Sequence, residues 1–203
     1  SNTAINLSLR LIEKNNDLNK IVYVYPFNTL VEQNIASLNK IFDHSSILNN
    51  VAVVNSTTPI KIDENKPNKY QKALLDRQFL NYPIILTTHV SLFDTLFGNN
   101  RESAFGFYQF VNTVIVLDEI QNYRIERWNE IIIFLKEYAR ILNMKIIIMS
   151  ATLPNLEVLT NDDSNSVSLI KDCKKYFLNP IFKERVKIDY SLLEVKNVEE
   201  VLF

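Results

Sequence analysis

Five short apolar runs, set between longer stretches of helical period, restrict this chain more than any other feature. They are Ile21-Val22-Tyr23-Val24-Tyr25, Val51-Ala52-Val53-Val54, Ile84-Ile85-Leu86-Thr87, Val114-Ile115-Val116-Leu117 and Ile146-Ile147-Ile148-Met149. Each is too short for a helix and too uniformly apolar for a strand with one wet face. Strands of this kind are buried on both sides, and the alternation with helical segments predicts a parallel sheet covered on both faces. Helices are expected over residues 4–13, 28–42, 70–80, 91–97 and 128–142, with Asn28 or Thr29 as the cap of the second. A brief helical turn is expected over 155–159. Residues 56–68, with Pro59 and Pro67, read as a loop. The aromatic stretch from Phe105 to Phe110 reads as a loop anchored on the core. Residues 160–168 read as a mobile polar segment, and residues 176–195 as extended.

The chain has 203 residues, nearly half of them apolar, and a net charge of -1. That length allows one large domain, or one domain and a short extension. The charge gives no bulk attraction to nucleic acid or to a membrane, so any nucleic-acid contact must be a local patch or a backbone contact. The single cysteine, Cys173, excludes an internal disulfide framework and a cysteine-based zinc cluster, which fits a reducing cytoplasm. No apolar run approaches the ~18 residues that a membrane crossing requires. Glycine is scarce. Gly98 and Gly106 are the only two, and neither begins a Gly-Lys-Ser/Thr. A loop that cradles phosphates needs glycines so that backbone N–H groups can approach them, and this chain contains no such loop.

Two strand ends carry the chemistry. The fourth run stops at Asp118-Glu119-Ile120-Gln121, and the fifth at Ser150-Ala151-Thr152. In open α/β sheets, ligands lie at the carboxyl ends of the strands. Adjacent carboxylates there suit two roles, one holding a hard cation and the other orienting and deprotonating a water. Small hydroxyl residues one crossover helix away can sense a neighbouring carboxylate. Each element also has a plainer reading, an acidic helix cap for the first and a helix N-cap for the second.

Together these motifs resemble superfamily 2 helicases. Asp118-Glu119-Ile120-Gln121 is similar to their motif II and Ser150-Ala151-Thr152 to motif III. Pro26-Phe27-Asn28-Thr29-Leu30-Val31-Glu32-Gln33-Asn34 resembles motif Ia, and Thr87-Thr88-His89-Val90-Ser91-Leu92-Phe93 the strand-end element between Ia and II. The forms Asp-Glu-Ile-Gln and Ser-Ala-Thr-Leu-Pro lie closest to the CRISPR-associated helicase-nuclease of type I systems. So does Tyr176-Phe177 followed by Phe182-Lys183-Glu184-Arg185-Val186. The resemblance spans nearly the whole chain. It implies a RecA-like first motor domain that clamps ATP with Mg²⁺ against a second RecA-like domain and moves along single-stranded DNA. An upstream HD nuclease domain and an RNA-guided surveillance complex are the implied partners. By motif, Asp118 holds Mg²⁺, Glu119 activates water, Gln121 links to the second domain, and Ser150 and Thr152 couple hydrolysis to movement. Pro26, Asn28, Thr29, Gln33, Thr87, Thr88 and His89 lie along the DNA backbone.

The chain departs from the family pattern in lacking the phosphate loop, the second motor domain and a His-Asp nuclease pair. Ser1 is either the last residue of a phosphate loop or a cloning remnant. The expectation is a partial motor domain over 1–160, inactive alone and missing a central strand, followed by an exit segment and linker over 161–203. Two other functions stay open: the first motor domain of another superfamily 2 DNA or RNA helicase, and a non-catalytic nucleic-acid-binding module. His89 reads as a strand-end hydrogen bonder, Trp128 as core and Cys173 as a packed thiol.

Overall fold

The computed structural model describes residues 2–41, 51–54, 75–76, 79–122, 127–151, 167–170, 172, 175–176 and 178–183. By its contacts the chain divides into two units, Ser1–Asp163 and Ser164–Phe203. In the first, helix α1 (Asn2–Lys14) precedes strand β1 (Lys20–Tyr25), helix α2 (Asn28–Ile41) and strand β2 (Val51–Val54). Strand β3 (Ile84–Thr88) leads into helices α3 (His89–Phe97) and α4 (Arg101–Tyr108). Strand β4 (Thr113–Leu117), a 3-10 turn (Ile120–Asn122), helix α5 (Trp128–Ile141) and strand β5 (Lys145–Ile148) follow.

The five strands form one parallel sheet in the order β2-β3-β1-β4-β5. Side chains alternate across a strand, and the two faces of β1 show it. Val22 and Val24 join Ile85, Ile115 and Leu117 beneath α3 and α5, where Leu92, Leu96 and Leu135 complete a core. Tyr23 and Tyr25 join Val114, Val116 and Ile147 beneath α1 and α2, against Ala4, Val31 and Leu38. Strands β1 and β4 are buried along their whole length, which is why their sequences show no polar alternation. This is the expected RecA-like α/β architecture, with helices on both faces of a parallel sheet.

Strands β3, β1 and β4 pair directly, and among the described residues the free strand edges belong to β2 and β5. Several local expectations are corrected. Residues 101–108 form a helix rather than a loop. The Asn100 side chain caps it by accepting from the Ser103 N–H at 2.6 Å, and Gly106 allows α4 to approach α3. A Cβ at that position would meet Thr95 Cγ2 at 2.8 Å. Of its aromatics and those that follow, Phe110 is buried and Phe107 packs on the core, while Phe105 and Tyr108 are exposed. Asn28 is the first helical residue of α2 and not its cap. Within the predicted helix 70–80, residues 75–76 are helical, 79–80 form a turn, and Leu80 enters the left-handed region with φ 50°; residues 70–74 and 77–78 lie outside the described residues, as do 155–159 and Cys173.

Among the described residues of the second unit, 175–176 are helical and Pro180–Lys183 form the short helix α6, where residues 176–195 were expected to be extended. Proline fits the first turn of a helix because its missing N–H needs no partner there. The Asn179 side chain accepts from the Ile181 N–H at 3.0 Å. Among the described residues no helix is long and apolar enough to cross a membrane.

Candidate functional site

Because the strands run parallel, their carboxyl ends share one edge of the sheet. That edge gathers residues 26–28 after β1, Thr87 to His89 at the end of β3, Asp118 to Gln121 after β4, and Ser150 after β5. The backbone continues the ladder past the last β4 residue: the Asp118 N–H donates to the Val24 carbonyl at 3.0 Å. The Met149 N–H donates to the Leu117 carbonyl at 2.9 Å, and the Ile120 N–H to the Met149 carbonyl at 3.3 Å. The carboxylates therefore stand on rigid backbone.

Each Asp118 oxygen accepts one hydrogen bond, Oδ1 from the Glu119 N–H at 3.0 Å and Oδ2 from the Tyr23 hydroxyl at 3.0 Å. These fix the carboxylate plane and leave each oxygen a further lone pair. Glu119 adopts φ 53°, a left-handed conformation that costs a bulky residue roughly 1–3 kcal/mol. It turns the backbone so that two adjacent carboxylates serve different partners. The Asn122 N–H and side-chain amide both donate to the Glu119 carbonyl, at 3.0 and 3.1 Å, and hold that turn.

A relay continues from Glu119. The Gln121 side-chain amide donates to Glu119 Oε2, and its carbonyl oxygen accepts from the Ser150 hydroxyl at 2.5 Å. Ser150 thus reaches the carboxylate through Gln121. Ile120 points inward and packs with Trp128 and Ile132 in a small cluster of its own, so Trp128 is core. Thr152 and Ser1 lie outside the described residues.

Sequence reasoning overlooked Tyr23 and Tyr25. Their rings stack with centroids 4.5 Å apart, and each is 1 % exposed. Burial, joined by the Asp118 charge, pushes both phenols far above their ordinary value of 10.0, so both stay neutral: Tyr23 donates to Asp118, and the Tyr25 hydroxyl is buried with no hydrogen-bond partner among the described residues. The available signal was a pair of phenols two residues apart on one face of an aliphatic strand. Its partner stands 95 residues away, beyond any local pattern.

The second group of expected residues lies on the same edge. Pro26 is buried, Asn28 is half-buried, and Thr29 and Gln33 are exposed. The Asn28 Oδ1 is buried with no hydrogen-bond partner. Thr87 and Thr88 are buried, and their hydroxyls serve the fold. Thr87 donates to the Val54 carbonyl at 2.5 Å, and Thr88 caps α3 through the Ser91 N–H at 3.4 Å. His89 opens α3, and burial lowers its pKa from 6.5, partly offset by a backbone hydrogen bond with Tyr25.

The DEAD/DEAH box helicase family profile matches residues 2–159. No functionally curated protein matches the sequence. Among solved structures, the chain is similar to the DUF1998 helicase MrfA bound to DNA, at 21% identity over 75% of this chain and 20% of that chain, with a TM-score of 0.49. A MrfA structure described without DNA gives 21% identity over 75% and 22%, TM-score 0.48. MrfA bound to DNA and AMPPNP gives 22% over 75% and 20%, TM-score 0.46. The chain thus spans about a fifth of the length of those structures.

Proposed function

From the premise that the chain belongs to the DEAD/DEAH box helicase family, we propose that it is the first motor domain of an ATP-driven helicase that moves along single-stranded DNA. The observation that carries this reading is the hydrogen-bonded path Glu119–Gln121–Ser150, which ties the carboxylate end of β4 to the hydroxyl end of β5. A path of that kind can report the state of Glu119 to whatever binds over Ser150.

In this reading Asp118 holds Mg²⁺. Among the described residues no three His, Cys, Asp or Glu side chains converge on a metal cage. One held carboxylate with free lone pairs fits an ion that keeps most of its waters and shares phosphate oxygens. When bound with ATP, Mg²⁺ supplies neutralisation of phosphate charge. Tyr23 and the Glu119 N–H orient Asp118 for that ion. Glu119 positions the attacking water and accepts its proton. Gln121 fixes the Glu119 carboxylate, and Ser150, with Thr152 by motif, passes the change on to a second RecA-like domain. The exposed Thr29 and Gln33 are the best placed of the motif Ia residues to meet a DNA backbone, with Asn28 and His89 beside them. Thr87 and Thr88 would act by holding that edge in shape, or through their backbone. The two glycines follow α3 and lie within α4, so the chain contributes the carboxylate side of the site. The phosphate loop, which Ser1 would complete, belongs to the proposed whole protein.

The finer assignment is to the helicase-nuclease of type I CRISPR defence, with an HD nuclease domain and an RNA-guided surveillance complex as partners. Support comes from the Pro-Phe-Asn-Thr-Leu, Asp-Glu-Ile-Gln and Ser-Ala-Thr-Leu-Pro forms. The test joins this chain to a phosphate loop and a second motor domain and measures ATP hydrolysis with single-stranded DNA or RNA. DNA should stimulate it, and Glu119→Gln should lower it by about 10²–10⁴-fold. An unaltered rate removes the role given to Glu119. Stimulation by RNA alone removes the DNA-translocase reading.

A further inference from the structure

At the opposite end of the sheet from the carboxylates, Lys20 opens β1. Strand alternation sends its side chain to the face of Val22 and Val24, where an apolar residue is the rule. The residue is 8 % exposed. Its ammonium donates to the Leu80 carbonyl at 2.7 Å and to Gln109 Oε1 at 2.8 Å. Both acceptors are neutral, and Lys20 forms no ion pair among the described residues. A buried charge ordinarily has a counter-charge. One N–H of the ammonium remains, and Gln109, having turned its oxygen to Lys20, keeps its amide N–H groups for another acceptor.

These donors border a cleft of about 380 Å³. Asn81 and Asn112 add amides to its wall, and Pro83 and Tyr108 add apolar surface. The surrounding backbone is shaped at a cost. Leu80, whose carbonyl receives Lys20, is left-handed at φ 50°, and Asn112 at φ 58° is braced by a 2.8 Å hydrogen bond from the Asn143 side chain. Burial pulls the Lys20 amine down to about 8, which leaves it a cation at neutral pH.

We propose that this cleft binds the carboxylate of a small aromatic or apolar acid, with Lys20 and Gln109 as its donors and Tyr108 and Pro83 against its body. One ammonium among neutral amides balances one negative charge, which favours a monoanion over a phosphate dianion. Pro83 and Tyr108 stand beside these donors and give an organic body a contact that a bare ion does not use. The site shares no residue with the strand-end carboxylates and does not depend on their assignment.

The 203-residue chain, labelled with ¹⁵N, is titrated with benzoate, with benzamide as its uncharged counterpart, and with inorganic phosphate. Benzoate should give saturable shifts at Lys20, Gln109 and Asn112, with benzamide and phosphate each weaker by about tenfold or more. Gln109→Glu places a carboxylate against Lys20 and should weaken benzoate by a similar factor. An unchanged or raised melting temperature in that variant shows that the fold is kept. Lys20→Met serves as the second variant and should lose benzoate binding as well. Equal affinity for benzoate and benzamide overturns the role of Lys20. Phosphate binding as tight as benzoate overturns the organic acid, and absence of saturable benzoate shifts, or unchanged binding in Gln109→Glu, overturns the site.

Discussion

Tyr23 shows how much a single side chain decides at the strand ends. Its hydroxyl is one of two groups that orient Asp118, and its ring is sealed between the sheet and the helices above it. Tyr23→Phe keeps the ring and removes one hydrogen bond to a charged acceptor, which contributes about 1.5 kcal/mol. Urea unfolding should show a loss of that size. Mg²⁺ affinity in a nucleotide-competent protein should fall as Asp118 loses its orientation. A variant with unchanged stability and unchanged Mg²⁺ affinity would show that the 3.0 Å contact does nothing. Glu119 is a second case. Its left-handed backbone is invisible in a sequence, because Asp-Glu pairs give no sign of φ. The acidic pair itself was legible because an apolar strand of fixed length runs straight into it.

At the level of elements, strand positions were legible to within a residue at each end, since burial on both faces leaves a continuous apolar run. Helix α4 was not. Its sequence carries a good cap in Asn100, but the aromatics that follow break any clear amphipathic period, and half of them face water. At the end of β3, the Thr87 and Thr88 hydroxyls bond the neighbouring strand and the α3 N-terminus, roles that the motif by itself does not display. Thr88→Ala should lower stability by about 1 kcal/mol through loss of the cap, whereas Thr88→Ser should restore most of it. Denaturant midpoints of the two variants separate a capping role, which serine rescues, from one that needs the threonine methyl. Lys20 escaped notice for a related reason. A lysine at the start of an apolar strand reads as the wet end of that strand, and only tertiary packing reveals that α4 and the segment before β3 close over it.

On the scale of the molecule, the buried titratable groups set how stability follows pH. Lys20 is lowered from 10.5 to about 8 by burial, so between those values the unfolded chain holds the extra proton. Stability then rises with pH through that window. Tyr23 and Tyr25 are raised above 10.0. The stabilisation from keeping them neutral is complete below that value and is lost as the unfolded chain ionises at higher pH. Urea midpoints measured from pH 7 to 11 should climb from about pH 8 and turn downward above about pH 10. Lys20→Met should remove the climb and keep the downturn. A climb that persists in Lys20→Met assigns it to another group.

The packing of Ile120 against Trp128 also has an optical consequence. Trp128 is the only tryptophan in the chain, it is 6 % exposed, and it touches the residue that immediately follows Glu119. Its emission is therefore a label already built into the floor of the carboxylate turn. A change in colour or intensity when a nucleotide binds, or when Glu119 or Gln121 is replaced, reads that turn from beneath, and no dye needs to be attached to the surface that DNA would touch.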